Sequence, residues 1–393
     1  MPIPRAILTL LALVLTCGVV LAQKPILVHR TYSEYPSGYA DWLDQAVAGI
    51  AYHGPRWSDG TYNTSNFSGY GQYEPWYGFL RIAQHIGGDA TIEGYADDAC
   101  DVWRDGYSVA NGGAILGYFN YTDGLRLDWT ENADTTSRDA LIDQAVSATY
   151  ATGSTSAIMK SEAYSREVAY AVLGYINSEV YCGEAHNSRM EPMVELMLAD
   201  VGASVNISGA TTLSAGGHIE QWLGTVTTDS EGNITGGTHN FTEAAAVDEA
   251  GNGFAPFMGA ITGYTLIRHY ELSASINGGI TPDVRIPAKL VRLFDAMWPY
   301  YWIEADSSMK LRWINTDGAP ALNNMMAVVY WWLYKETGDR RHLERGDLLF
   351  NGTVGYESLD TPSVGGYKEF YELIRWTIDG LEWRAEGVGL HGG

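Results

Sequence analysis

Basic residues are scarce in this chain: 24 Lys and Arg stand against 47 Asp and Glu, for a formal net charge of -23. Counterion release rewards clusters of Lys and Arg, so nucleic acid and anionic membrane surfaces are poor partners, while a neutral or cationic one is easier to accommodate. Cysteine is nearly missing, with 3 in 393 residues, which excludes a disulfide scaffold as the source of stability. Also absent are a G-x-S-x-G nucleophile elbow, an H-E-x-x-H zinc helix and a phosphate-binding glycine loop. No cofactor is expected. Phenylalanine is sparse at 9, against 26 Tyr and 13 Trp. A core built for packing alone would use more Phe. Tyr and Trp combine a flat apolar face with a polar edge, the combination that stacks on a sugar ring and donates a hydrogen bond to it.

The opening stretch, "MPIPRAILTLLALVLTCGVVLA", joins one positive charge at Arg5 to an apolar run with small residues at Val20 and Ala22. It reads as a secretory signal peptide cut after about Ala22, leaving 23–393 as a single extracellular domain. The run is short and no stop-transfer charges follow it, which disfavours a membrane anchor. Thr16 disfavours a lipoprotein cut before Cys17. Cleavage leaves Cys100 and Cys182 as one candidate disulfide, with a buried free thiol at Cys100 the alternative. Sequons at Asn63, Asn66, Asn120, Asn206, Asn233, Asn240 and Asn351 are glycosylation candidates if the chain is a secreted eukaryotic one. No feature of the sequence speaks to oligomeric state.

With 46% hydrophobic and 18% charged residues, the chain can bury a large core. Apolar residues at three- and four-residue spacing predict helices over about 37–52, 74–87, 90–107, 137–152, 161–180, 189–202, 254–273, 284–303, 320–337, 340–351 and 367–384. "QHIGGDATIEG" and "YKETGDRRHLE" share one phrase. In each, Gly88 or Gly338 ends a helix in the left-handed conformation and Asp89 or Asp339 caps the next, so the two helices run antiparallel. A looser hairpin turns through "SASINGGITPD". The exception is a Gly- and Thr-rich insertion at about 204–253, with a plausible β-hairpin in "GTVTTDSEGNITGG". Within it Asp229, Glu231 and Asn233 resemble the first half of a calcium loop that lacks its final acid. An open solenoid would need a strict repeat period, and none is visible. The expected fold is all-α, an (α/α)6-like toroid of antiparallel helical hairpins.

The Gly-Asp hairpins, "SREVAYAVLGYINSE", "ALNNMMAVVYWWLYKETGDRRHLERGDLLFNG" and "YKEFYELIRWTIDGLEWR" resemble secreted (α/α)-toroid proteins related to carbohydrate-active enzymes. The likeness is one of pattern and covers most of residues 70–385. It implies a groove for a glycan chain that is hydrolysed or cleaved by elimination. Hydrolysis needs two carboxyl groups about 5–9.5 Å apart, one protonated and one ionised. Glu167, Asp128, Asp59, Glu74 and Asp317 are the catalytic candidates, each with aromatic neighbours in sequence. Glu167 leads, because an acid beside Arg166 in an otherwise apolar helix is either ion-paired or functional. Asp128 is read as lying in a loop. Arg166, Trp57, Trp76, Trp129, Trp313 and Tyr118 are the candidate substrate-binding residues. Elimination would draw on His53, Tyr118, Asn323 and Arg375, but so acidic a chain suits a polyanion poorly. The expected function is a secreted glycoside hydrolase, with a polysaccharide lyase second. A non-catalytic glycan-binding or matrix glycoprotein would use the same aromatic richness and stands as the third reading.

Overall fold

Glycine and aspartate set the helix boundaries at both Gly-Asp joints. Gly88 and Gly338 hold φ at +93° and +70°, a region that a residue with a Cβ enters only at a cost of about 1–2 kcal/mol. The Asp89 carboxylate accepts from the N–H groups of Thr91 and Ile92 at 2.9 and 3.2 Å, and that of Asp339 from Arg341 at 3.0 Å. Each cap satisfies donors that a first helical turn leaves open. Asp89→Ala is expected to lower stability by about 1 kcal/mol in urea denaturation. A loss below about 0.3 kcal/mol would show the cap to be idle.

The computed structural model describes residues 34–65, 71–148, 165–200, 211–212, 224–228, 234–239, 255–311, 315–360 and 366–391. Tyr35–Gly393 forms a compact unit in which helices dominate. In chain order they are α1 (Tyr39–Ser58), α2 (Pro75–His85), α3 (Ala90–Trp103), α4 (Asp123–Asn132), α5 (Thr135–Ser147), α6 (Ser165–Cys182) and α7 (Asn187–Asp200). The second half holds α8 (Pro256–Glu271), α9 (Arg285–Tyr301), α10 (Asn323–Thr337), α11 (Arg340–Asn351), the single turn α12 (Glu357–Asp360), α13 (Tyr367–Ile374) and α14 (Thr377–His391).

Two kinds of helix alternate along the chain. α10 is buried at every position from Asn323 to Tyr334, as a helix is when protein surrounds it. α11 buries only His342, Gly346, Leu349 and Phe350, the four- and three-residue spacing of one face. α2, α4, α6, α8, α10 and the α13–α14 pair resemble the first. α1, α3, α5, α7, α9 and α11 resemble the second. Contacts between the buried helices run from α2 to α4, α6, α8, α10 and α14, and from α13 and α14 back to α2. α14 and α2 run parallel: Arg375, Asp379 and Glu382 meet Glu74, Tyr77 and Arg81 in the same order. The half-buried helices bridge the buried ones, α3 lying on α2 and α4, α5 on α4 and α6, α7 on α6 and α8, and α9 on α8 and α10. Close packing requires a small residue at Gly124, where a Cβ would fall 1.8 Å from Trp76 Cδ1.

Several expectations are corrected. Asp123–Asn132 is helix α4, although "YTDGLRLDW" reads as a loop. Its Asp123 and Asp128 carboxylates are bonded inside the protein, so its buried face carries no apolar periodicity. The 367–384 helix is two, parted at Arg375 and Trp376. Cys100 and Cys182 are both free, and the buried Cys100 thiol instead lies 3.9 Å from Asp128 Oδ2. Asn120 is only 1% exposed and donates to the Tyr170 carbonyl, which leaves no room for a glycan. Asn63 and Asn351 reach the surface in part, their amides engaged with Gly60 and with Gly38 and Ser37.

In the insertion, β1 (Thr211–Thr212), β2 (Gly224–Thr228) and β3 (Ile234–His239) form an antiparallel sheet in that order, with Gly224 paired to His239. Another antiparallel pair, β4 (Trp302–Ile303) and β5 (Ser308–Met309), was not expected. The signal peptide, Trp313, the calcium-like Asp229, Glu231 and Asn233, and the sequons at Asn66, Asn206, Asn233 and Asn240 lie outside the described residues. Among the described residues no helix is long and apolar enough to cross a membrane.

Candidate functional site

Two adjacent residues with side chains, Tyr73 and Glu74, hold φ at +60° and +59° immediately before Pro75. Each costs about 1–3 kcal/mol in that region, and such strain persists only where the surroundings hold it. The holding groups are visible. Tyr73 N–H donates to the Tyr121 hydroxyl at 3.0 Å, Glu74 Oε1 accepts from Gly124 N–H at 2.5 Å, and Glu74 Oε2 accepts from Arg375 at 2.9 Å. Pro75 then starts α2, where a missing N–H is no loss.

Arg375 is the hub beneath this turn. Fully buried, it lies 4.2 Å from the Trp376 ring centroid and 4.9 Å from those of Tyr121 and Tyr170, and donates to the Tyr170 hydroxyl at 2.8 Å. Burial pushes the Glu74 carboxyl up to about 7, against the opposing pull of Arg375. Asp123, at the start of α4, accepts from Asn177 at 3.0 Å and from Trp376 Nε1 at 3.2 Å. One turn further along, Asp379 accepts from the hydroxyls of Tyr77 and Tyr264 at 2.6 and 2.8 Å and from Arg81 at 3.1 Å. Burial would raise the Asp379 carboxyl, but Arg81, the Tyr77 hydroxyl, Arg268 and the Tyr264 hydroxyl outweigh it and hold the group below its ordinary range.

At the N-terminal ends of α2, α6 and α13 the cluster reaches the surface. Glu167, 1% exposed, takes two N–H groups of the half-buried Arg166 at 2.8 and 3.2 Å. The Arg166 guanidinium lies 5.6 Å from the ring of Tyr118, itself 37% exposed. Glu372, 2% exposed, pairs with Lys368 at 2.9 Å. Burial pushes the Glu372 carboxyl up to about 7, with Lys368 and a hydrogen bond from the Tyr73 hydroxyl opposing. Tyr73 joins the two pairs: its phenol is within electrostatic reach of both Arg166 and Glu372, and Lys368 Nζ lies 5.4 Å from its ring. The arrangement offers a carboxyl that keeps its proton near neutrality, a second carboxyl bound to a guanidinium, and partly exposed cationic and aromatic side chains above them.

Of the sequence candidates, Glu74, Glu167, Arg166 and Tyr118 are brought together here, and the others are not. Asp128 sits where α3, α4 and α5 meet, bonded by Arg104 at 3.3 Å, Asn132 at 2.9 Å and Ser137; it ties helices together. Asp59 follows the end of α1 as an exposed turn, its carboxyl held below the usual range by Thr61. Asp317 is exposed beside Thr316. Trp57 and Trp76 are core residues, the first edge-on to Tyr62 and the second stacked on Trp103. Trp129 is half-buried, donating to the Tyr181 carbonyl at 2.9 Å.

Of the residues considered for elimination, Arg375 and Tyr118 belong to this cluster, while Asn323 and His53 are engaged elsewhere. Asn323 binds the carbonyls of Ser307 and Leu349. His53 bonds Tyr62, and burial drops its imidazole to about 4.

Sequence reasoning missed Glu372, Lys368 and Asp379, although a signal existed. Lys368, Glu372, Arg375, Asp379 and Glu382 recur at steps of four and three, a charged stripe along one side of a helical pattern. Among the described residues no group of His, Cys, Asp and Glu could hold a metal ion. No protein-family model matches the chain, and no curated protein matches it.

Proposed function

We propose that the chain is a secreted glycoside hydrolase built as an (α/α)6 toroid. The toroid reading is supported by the contact order of the buried helices, which returns from α13 and α14 to α2 after six steps. The alternation of buried and half-buried helices supports it as well. Glu372 acts as the general acid, because burial leaves it protonated to about 7. Glu167 acts as base or nucleophile, with Arg166 holding its carboxylate in place. Tyr118 supplies an aromatic platform for a neutral sugar ring. The observation that carries this reading is the approach of Glu372 of α13 and of Arg166 of α6, which holds Glu167, to the same strained residue, Tyr73. Two carboxyls of different environment that share one neighbour at a partly exposed rim support an assignment of acid and base roles.

Reducing-end release from a panel of neutral oligo- and polysaccharides tests the proposal. Hydrolysis is expected to hold up to about pH 7 and then fall about tenfold per unit as Glu372 loses its proton. No release from any glycan at any pH between about 4 and 9 would sink it. A non-catalytic glycan-binding protein is the second reading, favoured by the ion pairs that Glu167 and Glu372 already make with Arg166 and Lys368. Saturable glycan binding without release would establish that reading instead.

A further inference from the structure

We propose that the C-terminal end of the buried helices binds an oxyanion, a carboxylate or a phosphate group, between Arg126 and Arg268. Arg126 comes from α4 and Arg268 from the last turn of α8, and the two meet at Tyr181 of α6. The Arg126 guanidinium lies 5.0 Å from the Tyr181 ring centroid, and Arg268 Nη2 donates to the Tyr181 hydroxyl at 3.4 Å, a long contact. Arg126 is 9% exposed, and the Nε atoms of both arginines are buried with no hydrogen-bond partner. Among the described residues neither arginine makes an ion pair. Arg81, Arg166 and Arg375 each have a carboxylate, so these two are the exceptions within the same helix array.

A guanidinium cannot shed its charge to escape burial. A buried cation is tolerated when an anion or fixed dipoles replace its water. The carboxylates within electrostatic reach of Arg268 are Asp123 and Asp379. Both are already committed, Asp123 to Asn177 and Trp376 and Asp379 to Tyr77, Tyr264 and Arg81. Glu382, the other acid nearby, is bonded by Arg81. Two guanidinium forks therefore keep N–H groups for an incoming group with two or more oxygens, the geometry in which arginine outperforms lysine. Arg268 and Tyr181 are partly exposed, which gives a small anion a way in. The site is independent of the rim carboxyls.

Titration calorimetry of the full chain with inorganic phosphate, D-glucuronate and glucose tests the proposal. Saturable binding of phosphate or glucuronate is expected, weakening with salt, whereas any glucose binding should be insensitive to salt and to the arginine substitutions below. The tighter of the two anions identifies the source of the oxyanion. Arg126→Gln and Arg268→Gln should each weaken binding by about tenfold or more. Arg268→Lys should not restore it, and Glu372→Gln should bind as the wild type does. Removing Arg126, buried and without an ion pair among the described residues, should leave the melting temperature level or raise it. The proposal is overturned if neither anion saturates, if both glutamine variants keep wild-type affinity, or if both melt at clearly lower temperature, which would make the arginines parts of the fold.

Discussion

Replacing Glu74 with alanine is expected to cost about 3–5 kcal/mol of stability above pH 7, where its carboxyl is ionised, because it leaves Arg375 buried without its anion. Glu74 and Arg375 are both wholly buried and 2.9 Å apart. Alanine dislikes the φ of +59° as much as glutamate does, so backbone strain cancels in the comparison and the charge effect remains. The three rings around Arg375 and the Tyr170 hydroxyl offset part of the loss. A cation–π contact with a desolvated ring contributes about 2 kcal/mol or more, so the loss is expected toward the lower end of that range. Urea denaturation followed by circular dichroism reads the effect. The double variant Glu74→Ala/Arg375→Met should recover much of it, since removing both charges removes the uncompensated one. A single-variant loss under about 1 kcal/mol would mean that the pair is not the keystone of this end of the helix array.

Glu372→Gln is expected to lower kcat by about 10²–10⁴-fold with a much smaller change in KM, the range for loss of a general acid. The substitution keeps shape and most hydrogen bonding, and it removes the proton that burial retains up to about 7. Lys368 is 40% exposed on its side chain, so losing the ion pair costs little in folding. The alkaline fall in the pH profile should vanish in the residual activity, a change that a purely structural role would not produce. Activity within tenfold of the wild type would remove Glu372 from the mechanism and leave the binding-protein reading ahead.

Local chemistry was legible in the sequence. The Gly-Asp joints, the helix pairs around them and the hairpin 284–303 after 254–273 follow from turn residues and apolar spacing, which act over a few residues. Glu74 and Glu167 were also within reach, since acids among apolar neighbours must find partners. The misreadings share one cause. Asp128 and Trp76 look like site residues because they neighbour other aromatic or acidic residues in sequence. In space Asp128 faces Arg104 and Ser137, and Trp76 faces Trp103. α4 escaped notice because a helix buried on polar partners has no apolar stripe to detect.

The sequence by itself determined an all-α chain of capped, antiparallel hairpins with a Gly- and Thr-rich insertion, because capping and helical periodicity are properties of neighbours along the chain. Only the tertiary structure decided which charges meet. Glu74 and Arg375 are bonded across 301 residues, and Tyr77 and Asp379 across 302. Only the tertiary structure decided that, among the described residues, Arg126 and Arg268 make no ion pair. Such pairings depend on how parallel helices far apart in sequence are set side by side, and burial then fixes their strength by taking water away.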